Sequence, residues 1–113
     1  MITIYHNPRC KKSRAGLQYL QEKGIEPKIV NYIKEGISVE TLKDLLMRLN
    51  KKPVEMIRTQ EADYKAKFKG KNFTDDEWVK IMAETPKLIK RPIVVKGNKA
   101  VWGDPPEEIR ALL

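Results

Sequence analysis

The chain has 113 residues, of which 41% are hydrophobic and 34% charged, a balance that excludes a disordered polymer and suits one compact core. Its net charge of +8 can attract anions, acidic protein surfaces or nucleic acid, although much of the lysine is spread along helical segments as a solvated face. One cysteine excludes an intramolecular disulfide. With no apolar run near the roughly 20 residues of a membrane span and no signal-peptide pattern, the expected compartment is the cytoplasm.

Ile2-Thr3-Ile4-Tyr5 alternates and is β-branched, which predicts a first strand. His6-Asn7-Pro8 forces a turn. Residues 11–23 read as a helix with Leu17 and Leu20 inward, stopped by Gly24, which takes a left-handed cap without strain. Residues 28–32 read as a second strand. Strand, helix and strand within about thirty residues make a right-handed parallel βαβ unit.

The middle of the chain changes period. Ser38 can cap a helix to about Leu49, with Leu42, Leu45, Leu46 and Leu49 spaced i, i+3, i+4, i+7. Pro53 suits a first helical position, which predicts a short helix over 54–58. A lysine-rich helical piece covers about 61–68 and ends near Gly70. Thr74-Asp75-Asp76-Glu77 has the form of a capping box and opens a helix carrying Trp78, Ile81 and Met82. Pro86 follows it.

The last third returns to strands. Ile93-Val94-Val95 and Ala100-Val101-Trp102 flank a hairpin turn at 96–99. A short final helix follows Gly103-Asp104-Pro105-Pro106, with Ile109, Leu112 and Leu113 inward. The expected architecture is α/β: one domain over 1–113, with a helical insertion at about 38–86 between the βαβ and ββα halves of one sheet.

The chemistry gathers at Tyr5 to Arg14, "YHNPRCKKSR", which holds both the lone Cys10 and the lone His6. A lone cysteine is often a small buried hydrophobe. Here its neighbours are polar, a helix begins beside it, and Arg9, Lys11, Lys12 and Arg14 surround it. A helix N-terminus and nearby cations both favour S⁻ over SH, so the thiol should ionise below its reference of about 8.5. Ser13 lies one helical turn on, and its hydroxyl can reach back toward the sulfur. As a serine it cannot resolve a disulfide, so an oxidised Cys10 needs an external thiol. His6 either packs at the strand end or helps orient and ionise the thiol. One cysteine and one histidine fall short of a zinc site, and no metal is expected. The cations and the helix start also form a landing site for an anion. Arg58 and Arg91 are the distant candidates to join it, though from the residues alone each reads more readily as a surface arginine.

Three stretches, "ITIYHNPRCKKSR", "FTDDEW" and "KLIKRPIVV", taken in this order, resemble the arsenate reductase (ArsC) family, glutaredoxin-coupled type, of the thioredoxin-like superfamily. The resemblance covers nearly the whole chain. It implies a mixed four-stranded thioredoxin-like sheet with a helical insertion. It implies Cys10 as nucleophile with His6 and Ser13 nearby, Arg58 and Arg91 as anion-binding arginines, and Pro92 as the cis-proline that sets Arg91 beside the sulfur. It also implies reduction of arsenate, or another oxyanion, with glutathione as external co-substrate and glutaredoxin as partner, and no bound cofactor.

One position departs from the family. Where it has a third arginine before a proline, this chain has Asp104, which would repel an anion. Lys11, Lys12 or Lys99 could compensate, though a lysine lacks the planar fork. Two other readings stay open. One is glutathione-dependent reduction of other disulfides. The other is a Spx-type regulator that binds the RNA polymerase alpha subunit without catalysis. Nucleic-acid binding is not expected, because the basic residues are scattered and no recognition motif appears.

Overall fold

The computed structural model describes residues 1–113. Strand β1 (Ile2–His6) is followed by helix α1 (Lys11–Glu22) and strand β2 (Lys28–Asn31). A helical stretch comes next, with α2 (Tyr32–Glu35), α3 (Val39–Leu49), α4 (Ala62–Lys67) and α5 (Asp75–Glu84), and 3-10 turns at Pro53–Met56 and Pro86–Leu88. Strands β3 (Ile93–Lys96) and β4 (Lys99–Trp102) and a 3-10 helix, Pro106–Leu112, complete the chain.

The sheet has the order β2-β1-β3-β4. β1 runs parallel to β2 and antiparallel to β3, and β3 pairs antiparallel with β4. This is the expected mixed sheet, with the helical stretch inserted between its halves. Its two faces carry separate cores. Ile2, Ile4, Leu20, Val94, Ile109 and Leu112 form one, under α1 and the C-terminal helix. The larger one unites Leu42, Leu45, Leu46 and Leu49 of α3 with Trp78, Val79 and Met82 of α5. The i, i+3, i+4, i+7 spacing of α3 places all four leucines on its buried face.

Local signals behave as expected at several ends. Ser38 accepts from the Thr41 N–H at 3.1 Å. Thr74 and Glu77 cap each other's backbone N–H, at 3.2 and 2.8 Å. Gly24 adopts φ +75° just after α1, a conformation that costs a glycine nothing.

Other expectations need correction. Strand β2 stops at Asn31, whose side chain accepts from the Lys34 N–H and caps α2, so Tyr32 is helical rather than extended. Leu17 is only half-buried, and the deepest residues of α1 are Ser13, Gly16 and Leu20. Leu113 is exposed while Ile109 and Leu112 are buried.

Candidate functional site

Cys10 sits at the junction of β1 and α1. Its N–H donates to the Asn7 carbonyl at 3.0 Å, closing the Asn7-Pro8-Arg9 turn. Its own carbonyl accepts from the Arg14 N–H at 3.0 Å, so Cys10 is the N-cap residue. That position aims its side chain at the free N–H groups of the first helical turn.

Partial burial pushes the Cys10 thiol up. The Ser13 N–H, the Arg91 guanidinium and the Lys12 N–H outweigh it, and the net shift is downward. The expected ionisation is therefore supported, and of the two sources the sequence suggested it is the helix N-terminus, not the flanking cations, that contributes. Flanking cations do little: Arg14 Nη1 donates to the Pro8 carbonyl at 3.1 Å, and Lys12 Nζ pairs with Asp104 Oδ2 at 3.1 Å. Backbone amides and a distant arginine act instead.

Ser13 is also corrected. Its backbone N–H serves the sulfur, while its hydroxyl, fully buried, faces the other way. Ser13 Oγ lies 2.6 Å from His6 Nδ1 and accepts from the Asn7 N–H at 3.0 Å. The strand period of two explains the meeting, because it puts His6 on the β1 face of Ile2 and Ile4, the face α1 covers. Burial, then the field of Arg14, lowers the His6 pKa despite Ser13, so the ring is neutral at neutral pH. His6 reaches the thiol at one remove, by pinning the first turn of α1.

Arg58 and Arg91 come together through a short ladder outside the sheet. Ile57 and Ile89 form an isolated antiparallel bridge. The Arg58 N–H donates to the Leu88 carbonyl at 2.7 Å, and the Lys90 N–H to the Met56 carbonyl at 2.9 Å. The ladder carries Arg58 to the same cleft as Arg91. Arg58 Nη2 pairs with Glu61 Oε2 at 3.3 Å. Arg91 is nine-tenths buried, and its Nη1 donates to the Lys87 and Ile89 carbonyls at 2.7 and 3.3 Å. The Arg91–Pro92 peptide bond is cis. Gly16 of α1 packs on that proline so closely that a Cβ there would lie 2.6 Å from Pro92 Cγ.

A cleft of about 340 Å³ opens over the sulfur, lined by Cys10, Lys12, Arg58, Lys90, Arg91 and Trp102 among others. An adjoining hollow adds Asn7, Arg9 and Lys11 around the same thiol. Of the compensating lysines, Lys11 and Lys12 line this region. Lys99 lies across the β3–β4 hairpin, opposite Lys96. Asp104 lines a separate hollow with Leu49 and Glu108, so its carboxylate does not block the cleft. Three or more His, Cys, Asp and Glu side chains nowhere converge.

Sequence reading missed Lys90, Trp102 and Tyr32. Lys90 Nζ rests 4.7 Å from the centre of the Trp102 ring, and Trp102 Nε1 donates to the Arg91 carbonyl at 3.2 Å. Their proximity follows from the register of the β3–β4 hairpin, which sets Trp102 opposite Ile93; the sequence predicts the hairpin but not its register. No helix is long and apolar enough to cross a membrane.

The ArsC family model matches residues 5–112. An arsenate reductase of Haemophilus influenzae is 39% identical over 114 residues, covering 99% of this chain and 98% of the relative. The uncharacterised protein YfgD of Escherichia coli K12 is 40% identical over 110 residues, covering 96% and 92%. The solved structure of an arsenate reductase from Vibrio cholerae superposes with a TM-score of 0.94 at 42% identity, over 99% of this chain and 97% of that one. The likeness extends from end to end in both sequence and thioredoxin-like fold, and the chain belongs to the ArsC family.

Proposed function

We propose that this protein is an oxidoreductase that reduces arsenate to arsenite through the Cys10 thiolate, with glutathione and a glutaredoxin supplying the electrons. The observation that carries this reading is the sulfur itself, whose ionisation the Ser13 and Lys12 N–H groups and Arg91 favour, in a cleft that also holds Arg58. The relatives named arsenate reductase support the same class of reaction.

Arsenate docks between Arg58 and Arg91, and Lys11 and Lys12 raise the local positive potential. Arg58 leaves Glu61 to meet it. The Cys10 thiolate attacks arsenic, an S–As bond forms, and one oxygen departs as water after taking up two protons. The thiol of glutathione then bonds to the Cys10 sulfur. The S–As bond breaks with its electron pair left on arsenic, which falls from +5 to +3 and leaves as arsenite. The Cys10–glutathione disulfide remains. Ser13 cannot resolve it, so glutaredoxin does. His6 and Ser13 hold the first turn of α1 in place, and the electrons come from thiols rather than from a resident metal or organic cofactor.

The test is to supply purified protein with arsenate, glutathione and glutaredoxin and to measure arsenite. Production that vanishes in Cys10→Ser supports the reading. No arsenite, while a known reductase works under the same conditions, overturns it.

A second reading, glutathione-dependent reduction of other disulfides, draws on the size of the cleft. At about 340 Å³ it lies in the range that encloses drug-sized molecules, far beyond a single oxyanion. Turnover of a glutathione mixed disulfide without turnover of arsenate would favour it.

A further inference from the structure

Tyr32 is a buried titratable group that the mechanism above does not use. It begins α2, directly after β2, and its side chain is 1% exposed. Its hydroxyl donates to the Ile89 carbonyl at 3.2 Å. Arg91 Nη1 donates to that same carbonyl at 3.3 Å and to Lys87 O at 2.7 Å. The Tyr32 hydroxyl and the Arg91 guanidinium thus meet on one carbonyl oxygen, and Tyr32 lies in the field of Arg91.

The chemistry of these partners matters. Every one of them is neutral: the Lys87 and Ile89 carbonyls and, holding the second of these, a phenol that burial pushes up to about 12 against the pull of Arg91. Arg91 is thereby held in place without having its charge cancelled. Arg58 is treated differently, since a Glu61 carboxylate lies 3.3 Å from its guanidinium. Arg91 Nε is buried and has no partner within the protein, so the guanidinium keeps a donor that the fold does not use.

We propose that Tyr32 is a positioning residue: with the Lys87 and Ile89 carbonyls it clamps the Arg91 guanidinium beside Cys10 and leaves its full positive charge to the sulfur and to the incoming oxyanion. This rests on the reading of Arg91 as an anion-binding arginine. It adds that a neutral hydroxyl, sharing the Ile89 carbonyl with Arg91, sets where that charge stands.

The test is Tyr32→Phe, which keeps the buried ring and removes one oxygen. Alkylation of Cys10 measured across pH should shift its midpoint upward, because the guanidinium is no longer held on the sulfur. The KM for arsenate should rise about two- to tenfold, the range that the loss of one ordinary hydrogen bond covers, with a smaller change in kcat. In an Arg91→Gln background the same substitution should move neither quantity further. An unchanged alkylation midpoint in Tyr32→Phe, with only a lower melting temperature, overturns the proposal. So does an additional shift in the Arg91→Gln background, which would mean that Tyr32 acts by another route. A measurement on the unmodified protein needs no variant to fold: NMR should find the Arg91 guanidinium protons in slow exchange and its Cζ–Nε rotation hindered. A freely rotating guanidinium overturns the clamp. The alkylation and NMR arms require no turnover, so they remain decisive for Tyr32 even if the protein does not reduce arsenate.

Discussion

Lys12 Nζ lies 3.1 Å from Asp104 Oδ2, joining the first turn of α1 to the segment after β4. The lysine is half exposed and lines the Cys10 cleft, whereas the aspartate lines a neighbouring hollow. Asp104 therefore acts on the site mainly by engaging Lys12. Asp104→Asn should free that ammonium and lower the KM for arsenate about two- to threefold, an effect that shrinks as salt screens it. Melting experiments should show little cost, at most about 1 kcal/mol, as is usual for pairs near the surface. An unchanged KM at low salt would mean that the carboxylate has no hold on the site.

The thiol supplies a prediction about pH. Its folded pKa lies below the ordinary value of a free thiol. Folding therefore favours the thiolate, and this contribution to stability is fully present above the free-thiol pKa and lost as pH falls through the folded pKa. The stability of the wild type relative to Cys10→Ala should accordingly grow as pH rises toward the free-thiol pKa, about 8.5, and then level off. Urea melts of both proteins at a series of pH values would measure it. A difference that stays flat across that window would show that the thiolate gains nothing from the fold.

Much of this was readable from residues in order, and the failures have a common cause. Helix α3 was legible because four leucines repeat with its own period, and the capping box at Thr74 because it lies within four consecutive positions. Cys10 stood out for the same reason: the helix that ionises it starts next to it. What stayed hidden depends on contacts between distant segments. Arg58 and Arg91 are brought together by backbone bonds across Ile57 and Ile89, and neither isoleucine carries a strand pattern long enough to show it. The four-residue α2 has no periodicity to read, so Tyr32 passed for the end of a strand. The Ser13 hydroxyl was assigned to the sulfur because the two are neighbours in sequence. The sheet instead places His6 on the side that hydroxyl faces.

That geometry separates two roles of one residue. Ser13→Ala removes the hydroxyl and keeps the backbone N–H that serves the sulfur. The alkylation midpoint of Cys10 should therefore move little. Stability should fall by about 1–3 kcal/mol, because the buried His6 Nδ1 and the Asn7 N–H each lose a partner. A large shift in midpoint without loss of stability would instead return the hydroxyl to the sulfur.

Gly16 tests how firmly the proline loop is held. In a helix interior, Gly→Ala ordinarily stabilises by about 1 kcal/mol. Here the new Cβ would lie 2.6 Å from Pro92 Cγ, well inside contact distance, and a ring beside a buried arginine has little room to yield. Gly103 approaches the same ring atom, and its own Cβ would come to 3.2 Å from Pro92 Cγ. Overpacking of this kind costs about 1–3 kcal/mol, so the clash should win and Gly16→Ala should melt earlier than the wild type. The strain is delivered to Pro92, one residue from Arg91, so the alkylation midpoint of Cys10 should rise with it. A variant that melts later than the wild type and keeps its thiol profile would show that α1 and the proline loop can slide apart without disturbing the sulfur.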